Sequence, residues 1–483
     1  MSTRKLARRW APALILGLIS GGSWVAAERA DTDNISTESV AYGHELQTSM
    51  LSPRRMPRTL QVPIVDDKLT KDLQPIYAGL PATSCVAVTV NGRTIQPTLR
   101  SQLGLIPASN MKILSTWAAL QRLDAGFRFR TVIRAEAAPV DGVIDGDVYF
   151  VGDGDPFLST ADWWSQYESA EGRFHTSLEE LADSIVDAGV IEITGALTGD
   201  ESAFDQVRQG PWADRLIAGK QSGPLSALTV NEGFTDWPAV HISQRDRTPT
   251  DNPPLHAASV LADLLAQRGV TIGSVAAGVA SPTSGVEIAA IESPPLSDII
   301  THVNALSSNI GAELLVKKLG QVIGEGGTTA AGTEVVKGTL EARGFQTAGL
   351  VLDDGSGLAE SSRVTCDVLL GVLSDMGAES ALGQSMAISG ERGTLAMAFL
   401  ETAAEHNLYA KTGTLNDAIA LSGYVRSTVE PGLWLEFAYI ANDTFIIGNE
   451  ELDQRLPLVV TLAQYPKAPA TESLLPAPPT PIP

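Results

Sequence analysis

The segment "LIPASNMKILSTWAAL", residues 105 to 120, constrains the fold more than any other stretch of the chain. Met111, Ile113, Leu114, Trp117, Ala118, Ala119 and Leu120 leave a helix here almost no solvated side. A helix apolar nearly all round has to be surrounded by other elements. Within it, Lys112 follows Ser109 by three residues, which puts both side chains on one face, one turn apart. Lysine is rarely buried without a partner or a purpose. Two bland readings compete: serine is a good N-cap, and a lysine stem can snorkel out of a core. The same spacing also recurs at Ser2 and Lys5, so the pattern alone is cheap.

At 483 residues the chain predicts two or three domains rather than one. Its composition is globular, with 44% hydrophobic and 19% charged residues. A formal charge of −22 argues against a nucleic-acid partner, which would need a basic footprint. Residues 1–27 read as a secretory signal: Arg4, Lys5, Arg8 and Arg9 precede the apolar "APALILGLISGGSW", and Val25 and Ala27 offer small residues for cleavage. Arg8–Arg9 hints at the twin-arginine route, but the residues that follow fit the general secretory one better. An uncleaved anchor is the alternative, opposed by three glycines in a short span, and it leaves room for loose membrane association. Cleavage would take the charge from −22 to −26 and remove Ser2–Lys5. Two cysteines, Cys85 and Cys366, suit an exported protein with one disulfide, two buried free thiols being the alternative. No C-x-x-C or H-E-x-x-H occurs, so neither a metal nor another cofactor is expected.

Along the chain, residues 28–57 read as a polar lead-in ending in "SPRRMPR". "SCVAVTVNGRTI" gives a hairpin signal around Asn91–Gly92. The Ser109 helix should run to about Leu123, completing a first part over residues 58–124. From about 125 to 290, short alternating strands, Gly/Asp turns and helices near 177–189 and 256–268 predict a mixed region. In a further part, residues 291–465, two helices break around Ser307–Asn309 and a third covers "GTEVVKGTLEARG". "GLVLDDGSGL" reads as a strand into a tight turn, and "SRVTCDVLLGVLSDM" as a helix. "YAKTGTL", "AIALSGYVRS" and "LWLEFAYIAND" look like successive antiparallel strands. Residues 466–483 hold seven prolines and read as a disordered tail.

"YAKTGTL" puts Lys411, Thr412, Gly413 and Thr414 on a strand expected to be central, where a glycine often marks close backbone approach by a ligand. Taken in order, Ser109–Lys112, Ser307–Asn309 and Lys411–Gly413 spell S-x-x-K, S-x-N and K-T-G. That ordered trio is the signature of penicillin-binding proteins and serine β-lactamases. With "GDGDPFLS", "GPLSALTVNEG", "DGSGL", "SGERGTLAMAF" and "AKTGTLNDAIALSGYV", the chain resembles the class C low-molecular-mass penicillin-binding proteins, the D-Ala-D-Ala carboxypeptidase/endopeptidase family, from about 53 to 463. The resemblance implies an α/β (α+β) chain with the penicillin-recognising serine transpeptidase/β-lactamase-like fold: an antiparallel sheet flanked by helices, carrying an inserted smaller domain. The family inserts material between S-x-x-K and S-x-N, and here 198 residues separate Ser109 from Ser307. All three motifs lie outside the insert, which is therefore expected to shape access without supplying a catalytic group. It looks shorter than in members carrying two inserted domains.

Three departures from the family stand out. Ser308 occupies the middle of S-x-N, where Asp or Asn is usual, and Asp153 replaces a glycine in "GDGDP". Ala359–Glu360 stands where Ser-Arg is common after "DGSGL", which leaves Arg363 as the residue that could stand in for that arginine.

A serine hydroxyl needs a neighbouring base to become a nucleophile, and lysine becomes that base when burial or a nearby positive charge depresses its pKa. The apolar helix supplies burial, and Lys411 is expected to supply the charge. The resemblance implies that Ser109 attacks the carbonyl between the terminal D-alanines while Lys112 takes its proton. Ser307 would relay a proton to the leaving amine, and Asn309 would hold the substrate amide. Lys411, Thr412 and Thr414 would hold the terminal carboxylate, and the Ser109 and Thr414 N–H groups the oxyanion. The implied partners are peptidoglycan stem peptides, with β-lactam antibiotics as inhibitors, at the bacterial cell envelope. A serine β-lactamase or a non-catalytic cell-wall-binding relative is the alternative; no G-x-S-x-G occurs to support an α/β-hydrolase.

Overall fold

The computed structural model describes residues 57–165, 175–237, 246–280, 285–443 and 450–468. The expected signal segment, nearly all of the lead-in and most of the proline-rich tail lie outside the described residues. Among the described residues, no helix is long and apolar enough to cross a membrane.

Six strands form the main sheet, in the spatial order Ala387–Ile388, Leu408–Leu415, Ala418–Arg426, Trp434–Asn442, Ser84–Val90 and Arg93–Thr94. Every pairing is antiparallel. The strand Ser84–Val90 is buried along its whole length, which requires cover on both faces. Side chains alternate across a strand, and the alternation divides two cores here. Cys85, Ala87, Ala420, Tyr424, Ala438 and Ile440 face one core, built with the helices Met111–Leu123, Leu296–Ala305, Asn309–Val322, Thr329–Ala342 and Cys366–Met376. Val86, Val88, Val90, Leu421, Phe437 and Tyr439 face the other. There Val65, Leu69 and Leu73 of the helix Pro57–Ala78 pack with Leu458, Val459 and Leu462 of the helix Glu450–Ala463.

The 105–120 segment thus lies in the middle of the first core, where its composition requires it to be. The Sγ atoms of Cys85 and Cys366 are bonded, with the Cα atoms 6.0 Å apart, linking the sheet to the helix that starts at Cys366.

A second sheet lies between Phe129 and Ser293. Its strands run in the order Thr271–Ala277, Glu192–Asp200, Val148–Val151, Arg130–Ala135 and Val286–Glu292, with Val143–Ile144 also pairing Glu192–Asp200. It mixes parallel and antiparallel pairs. The helices Leu178–Asp187 and Pro253–Gln267 cover it through Leu178, Leu181, Ile185, Leu261 and Leu265, giving a core of its own.

Two readings need correction. "GLVLDDGSGL" forms no strand; Val351 makes only an isolated bridge to Arg363 before the turn. The helices Pro57–Ala78 and Glu450–Ala463 are additional to those read from the sequence.

Candidate active site

Ser109 lies in a single 3₁₀ turn, Ala108–Asn110, that leads straight into the helix Met111–Leu123. Ala108 takes φ +46°, a left-handed conformation rare outside glycine and frequent at functional sites. Lys112, fully buried, points back along the helix to the serine, its Nζ 3.0 Å from Ser109 Oγ. Two further acceptors complete its surroundings: Asn309 Oδ1 at 2.7 Å and the Ser356 carbonyl at 2.7 Å.

These distances orient the Lys112 amine. A neutral lysine has two N–H bonds and one lone pair. With both N–H bonds taken by the two acceptors, the lone pair is left facing the Ser109 hydroxyl. The orientation of Asn309 is itself fixed, because its Nδ2 donates to the Gln221 carbonyl at 2.6 Å.

Ser307 joins the helices Leu296–Ala305 and Asn309–Val322 with φ +63°. Its Oγ is 3.2 Å from Ser109 Oγ and accepts from Lys411 Nζ at 2.9 Å. Lys411 also donates to the Thr412 carbonyl at 2.8 Å. The polar groups therefore form one line: Lys411, Ser307, Ser109, Lys112.

Burial pushes Lys112 down to about 7, opposed by the nearby carboxylates of Asp354 and Glu313. Lys411, equally buried, is held well below its ordinary value by burial and then by the charge on Lys112. Burial is the first cause of the depression at both lysines, and the repulsion between their like charges acts in the same direction.

Gly413 answers the glycine question in K-T-G. A Cβ there would come within 3.0 Å of the Pro107 carbonyl and 3.1 Å of the Ser109 amide nitrogen. The strand Leu408–Leu415 thus runs against the backbone at Ser109. The strand Ala387–Ile388 pairs only with Tyr409 and Ala410, so it does not cover the Lys411–Thr414 stretch. In front of Ser109 opens a cleft of about 740 Å³, lined among others by Ser307, Asn309, Thr412, Thr414, Asn416 and Asp417.

Several contributors escaped the sequence reading. Arg215 and Gln221, from the region between the first two motifs, line the cleft. So does Thr394, whose Oγ1 lies 2.9 Å from Thr412 Oγ1. Glu313, four residues beyond Asn309, and Asp354 of "DGSGL" are buried behind Lys112. The sequence signals for these were the DGSGL turn, which holds Asp354, and "SGERGTLAMAF", which holds Thr394.

The three departures acquire physical reasons. Ser308 caps the helix Asn309–Val322, its Oγ accepting from Gly311 N at 3.1 Å. Asp, Asn and Ser are near-equivalent caps, so the middle of S-x-N tolerates exchange among them. Asp153 accepts from Arg130 N at 3.0 Å and pairs with the buried Lys318. Glu360 pairs with Arg215 at the cleft. Arg363 does not stand in at the cleft: its Nη1 donates to the Glu360 and Ser362 carbonyls, both at 2.8 Å.

The sequence matches the D-Ala-D-Ala carboxypeptidase 3 (S13) family over residues 73–244 and 243–465. The chain belongs to that family. These S13 enzymes are serine-type D-Ala-D-Ala carboxypeptidases, and the fold and function implied by the resemblance are those of the family. A D-alanyl-D-alanine carboxypeptidase of Actinomadura sp. (strain R39) is 32% identical over 421 residues, covering 75% of this chain and 77% of its own. Carboxypeptidase DacB of Mycolicibacterium smegmatis is 31% identical over 361 residues, covering 72% and 73%. The crystal structure of penicillin binding protein 4 from Haemophilus influenzae shares the fold at 20% identity, with a TM-score of 0.66, over 81% of this chain and 97% of that one. This S13 chain is accordingly a penicillin-binding serine carboxypeptidase/endopeptidase.

Proposed function

We propose that Ser109 is the nucleophile that attacks the D-Ala-D-Ala bond of peptidoglycan stem peptides and is acylated by β-lactams at the same atom. One observation carries this: Lys112 Nζ faces Ser109 Oγ at 3.0 Å while two fixed acceptors take its N–H bonds. Lys112 takes the serine proton as the new C–O bond forms. Ser307, 3.2 Å from Ser109 and 2.9 Å from Lys411, relays a proton to the leaving amine. The amide hydrogens of Ser109 and Thr414 receive the oxyanion, each such donor typically worth about 3 kcal/mol. A substrate carboxylate beside Lys411 favours its ammonium form, which in turn attracts that carboxylate. Thr412, with Thr394 beside it, and Thr414 bind that carboxylate. Gly413 keeps the strand close.

The β-lactam amide imitates the D-Ala-D-Ala amide, so the same attack forms an acyl-enzyme. A penicillin binding protein 4 from Haemophilus influenzae, 20% identical, has been crystallised with a β-lactam. Hydrolysing the ester rapidly requires a second base aimed at a water, which class A β-lactamases supply with a glutamate. Glu313, the buried glutamate nearest the motifs, is packed behind Lys112 and does not line the cleft. The adduct should therefore outlast a β-lactamase turnover by far. The basic, apolar leader supports export to the cell envelope, where the substrate is found. Residues 125–290 are proposed as an inserted module whose Arg215, Leu216 and Gln221 shape the cleft.

Intact-mass spectrometry after penicillin exposure tests the assignment. A lasting increment of one penicillin on the wild type, absent from Ser109→Ala, is expected. Peptidase activity of the variant should fall by roughly 10⁴, about 5.5 kcal/mol of transition-state stabilisation. Rapid penicillin consumption without an adduct would favour a β-lactamase instead.

A further inference from the structure

Behind Lys112, on the side away from the cleft, lies a carboxyl pair that the reaction as described leaves unused. Glu313 and Asp354 are both buried, at 0% and 1% exposure. Asp354 opens the turn Asp354-Gly-Ser-Gly-Leu358 and accepts four hydrogen bonds. They come from Gly357 N at 2.9 Å, Ala359 N at 2.8 Å, Ser356 Oγ at 3.2 Å and Trp212 Nε1 at 3.0 Å. Glu313 accepts from Gly355 N at 3.1 Å and Ser356 N at 2.8 Å, both through Oε1. Its Oε2 is buried with no hydrogen-bond partner among the described residues.

Between them the two carboxyls hold every backbone N–H from Gly355 to Ala359 except that of Leu358, which lies 3.4 Å from Ser356 Oγ. The Ser356 peptide is the one whose carbonyl accepts from Lys112 at 2.7 Å. One residue earlier, the Gly355 carbonyl accepts from Ser115 Oγ at 2.7 Å, which fixes the turn to the Lys112 helix a second time.

We propose that Glu313 and Asp354 are positioning residues for Lys112: together they hold the Ser356 carbonyl against its amine and keep one negative charge behind it. The proposal rests on the reading of Lys112 as the base. Two adjacent carboxylates in a dry site do not ionise together readily. Four donors favour the anion at Asp354, whereas Glu313, with one oxygen unpartnered, is the better place for the proton. Burial raises Asp354 and brings Glu313 up to about 7, in keeping with one shared charge.

The charged groups facing Lys112 are few. Glu313 comes from the Asn309 helix, Asp354 from the turn and Lys411 from the K-T-G strand. The residues reaching this region from the insert, Trp212 and Gln221, are neutral. Burial pulls Lys112 towards the neutral amine, and the pair pulls it back. Without the pair, Lys112 would be a weaker base, neutral to lower pH.

The test is the acylation rate constant of a fluorescent penicillin, followed from pH 5 to pH 9. The rate should have an acidic limb set by Lys112. In Asp354→Asn the midpoint of that limb should fall by roughly one pH unit, as expected on removing an adjacent opposite charge, with a lower plateau rate. Glu313→Gln, which keeps an acceptor for the two amides, should move the midpoint in the same direction by less. Should Asp354→Asn not fold, because its amide N–H group meets donors, Glu313→Gln decides alone. Variants that acylate with the wild-type midpoint, whatever their plateau, would reduce the pair to a structural support and overturn the proposal. A wild type that takes no label overturns the reading of Lys112 and Ser109 beneath it, a distinct result.

Discussion

In the role proposed for it, Lys112 must be neutral to accept a proton and charged once it has done so, and its surroundings suit both states. As the ammonium, its three N–H bonds match three partners: Ser109 Oγ, Asn309 Oδ1 and the Ser356 carbonyl. As the amine, two of those partners remain satisfied and the third becomes the donor. Acylation therefore needs no side chain to move when the proton does, which is preorganisation at the scale of one residue. With Lys112 near 7, the neutral fraction below that pH falls about tenfold per unit. The acylation rate constant should accordingly rise with pH through about 7 and then level off. Lys112→Met should show no such limb and acylate orders of magnitude more slowly. A wild-type rate that is flat between pH 5 and pH 8 would remove Lys112 from the role. The sequence displayed this residue well, since a lysine in an apolar helix contradicts its own context. Asp354 and Glu313 were harder to see. Neither breaks a local pattern, and their burial is known only once the turn is folded against the Asn309 helix.

The turn from Asp354 to Leu358 shows how an element without regular structure holds three others in register. A Cβ on Gly357 would fall 1.8 Å from the Ala108 carbonyl oxygen, next to Ser109, and Gly357 has φ +80°. One on Gly355 would fall 2.7 Å from the Ala312 carbonyl oxygen of the Asn309 helix. Gly357→Ala combines a left-handed backbone with a clash against main chain that cannot swing aside. It should cost about 3 kcal/mol or more, lower the thermal midpoint by several degrees and slow acylation by displacing Ser109. A variant with wild-type labelling and melting would show that the turn yields easily. At this scale the sequence was most informative where a motif coincides with an element boundary. The break at Ser307–Asn309 and the strand around K-T-G were both evident. It was least informative where breakers lie inside helices. Pro63 and Pro75 lie within Pro57–Ala78 and Pro457 within Glu450–Ala463, so neither helix announces itself. The "GLVL" run is apolar because it covers the first core, not because it extends a sheet.

Across the whole molecule, the stretch between the first two motifs is less separable than its sequence suggests. Its sheet and two helices have their own core, but residues 204–227 belong to another. Phe204, Trp212, Leu216, Leu225 and Ala227 pack in one cluster with Ala108, Ile310, Leu314, Leu358, Leu415 and Ala418. Polar links run alongside: Gln221 O to Asn309, Trp212 Nε1 to Asp354, Asp153 to Lys318 and Asp205 to Lys317. The Gln221 carbonyl, by accepting from Asn309 Nδ2, decides which end of Asn309 faces Lys112. Replacing 125–290 by a short linker should therefore abolish acylation even where the remainder stays soluble. It exposes the cluster, frees Asn309 to rotate and removes one donor from Asp354. Trp212→Ala isolates part of this effect at a single site. Truncating a buried tryptophan costs about 3–5 kcal/mol, and here it should also slow acylation at a temperature where the variant is still folded. Replacing the exposed Val279 by Thr, outside that cluster, should alter neither. Far-UV circular dichroism and penicillin labelling on the same samples separate folding from function. An excised variant that folds and labels at the wild-type rate would show that the S-x-x-K, S-x-N and K-T-G elements hold their geometry without the insert.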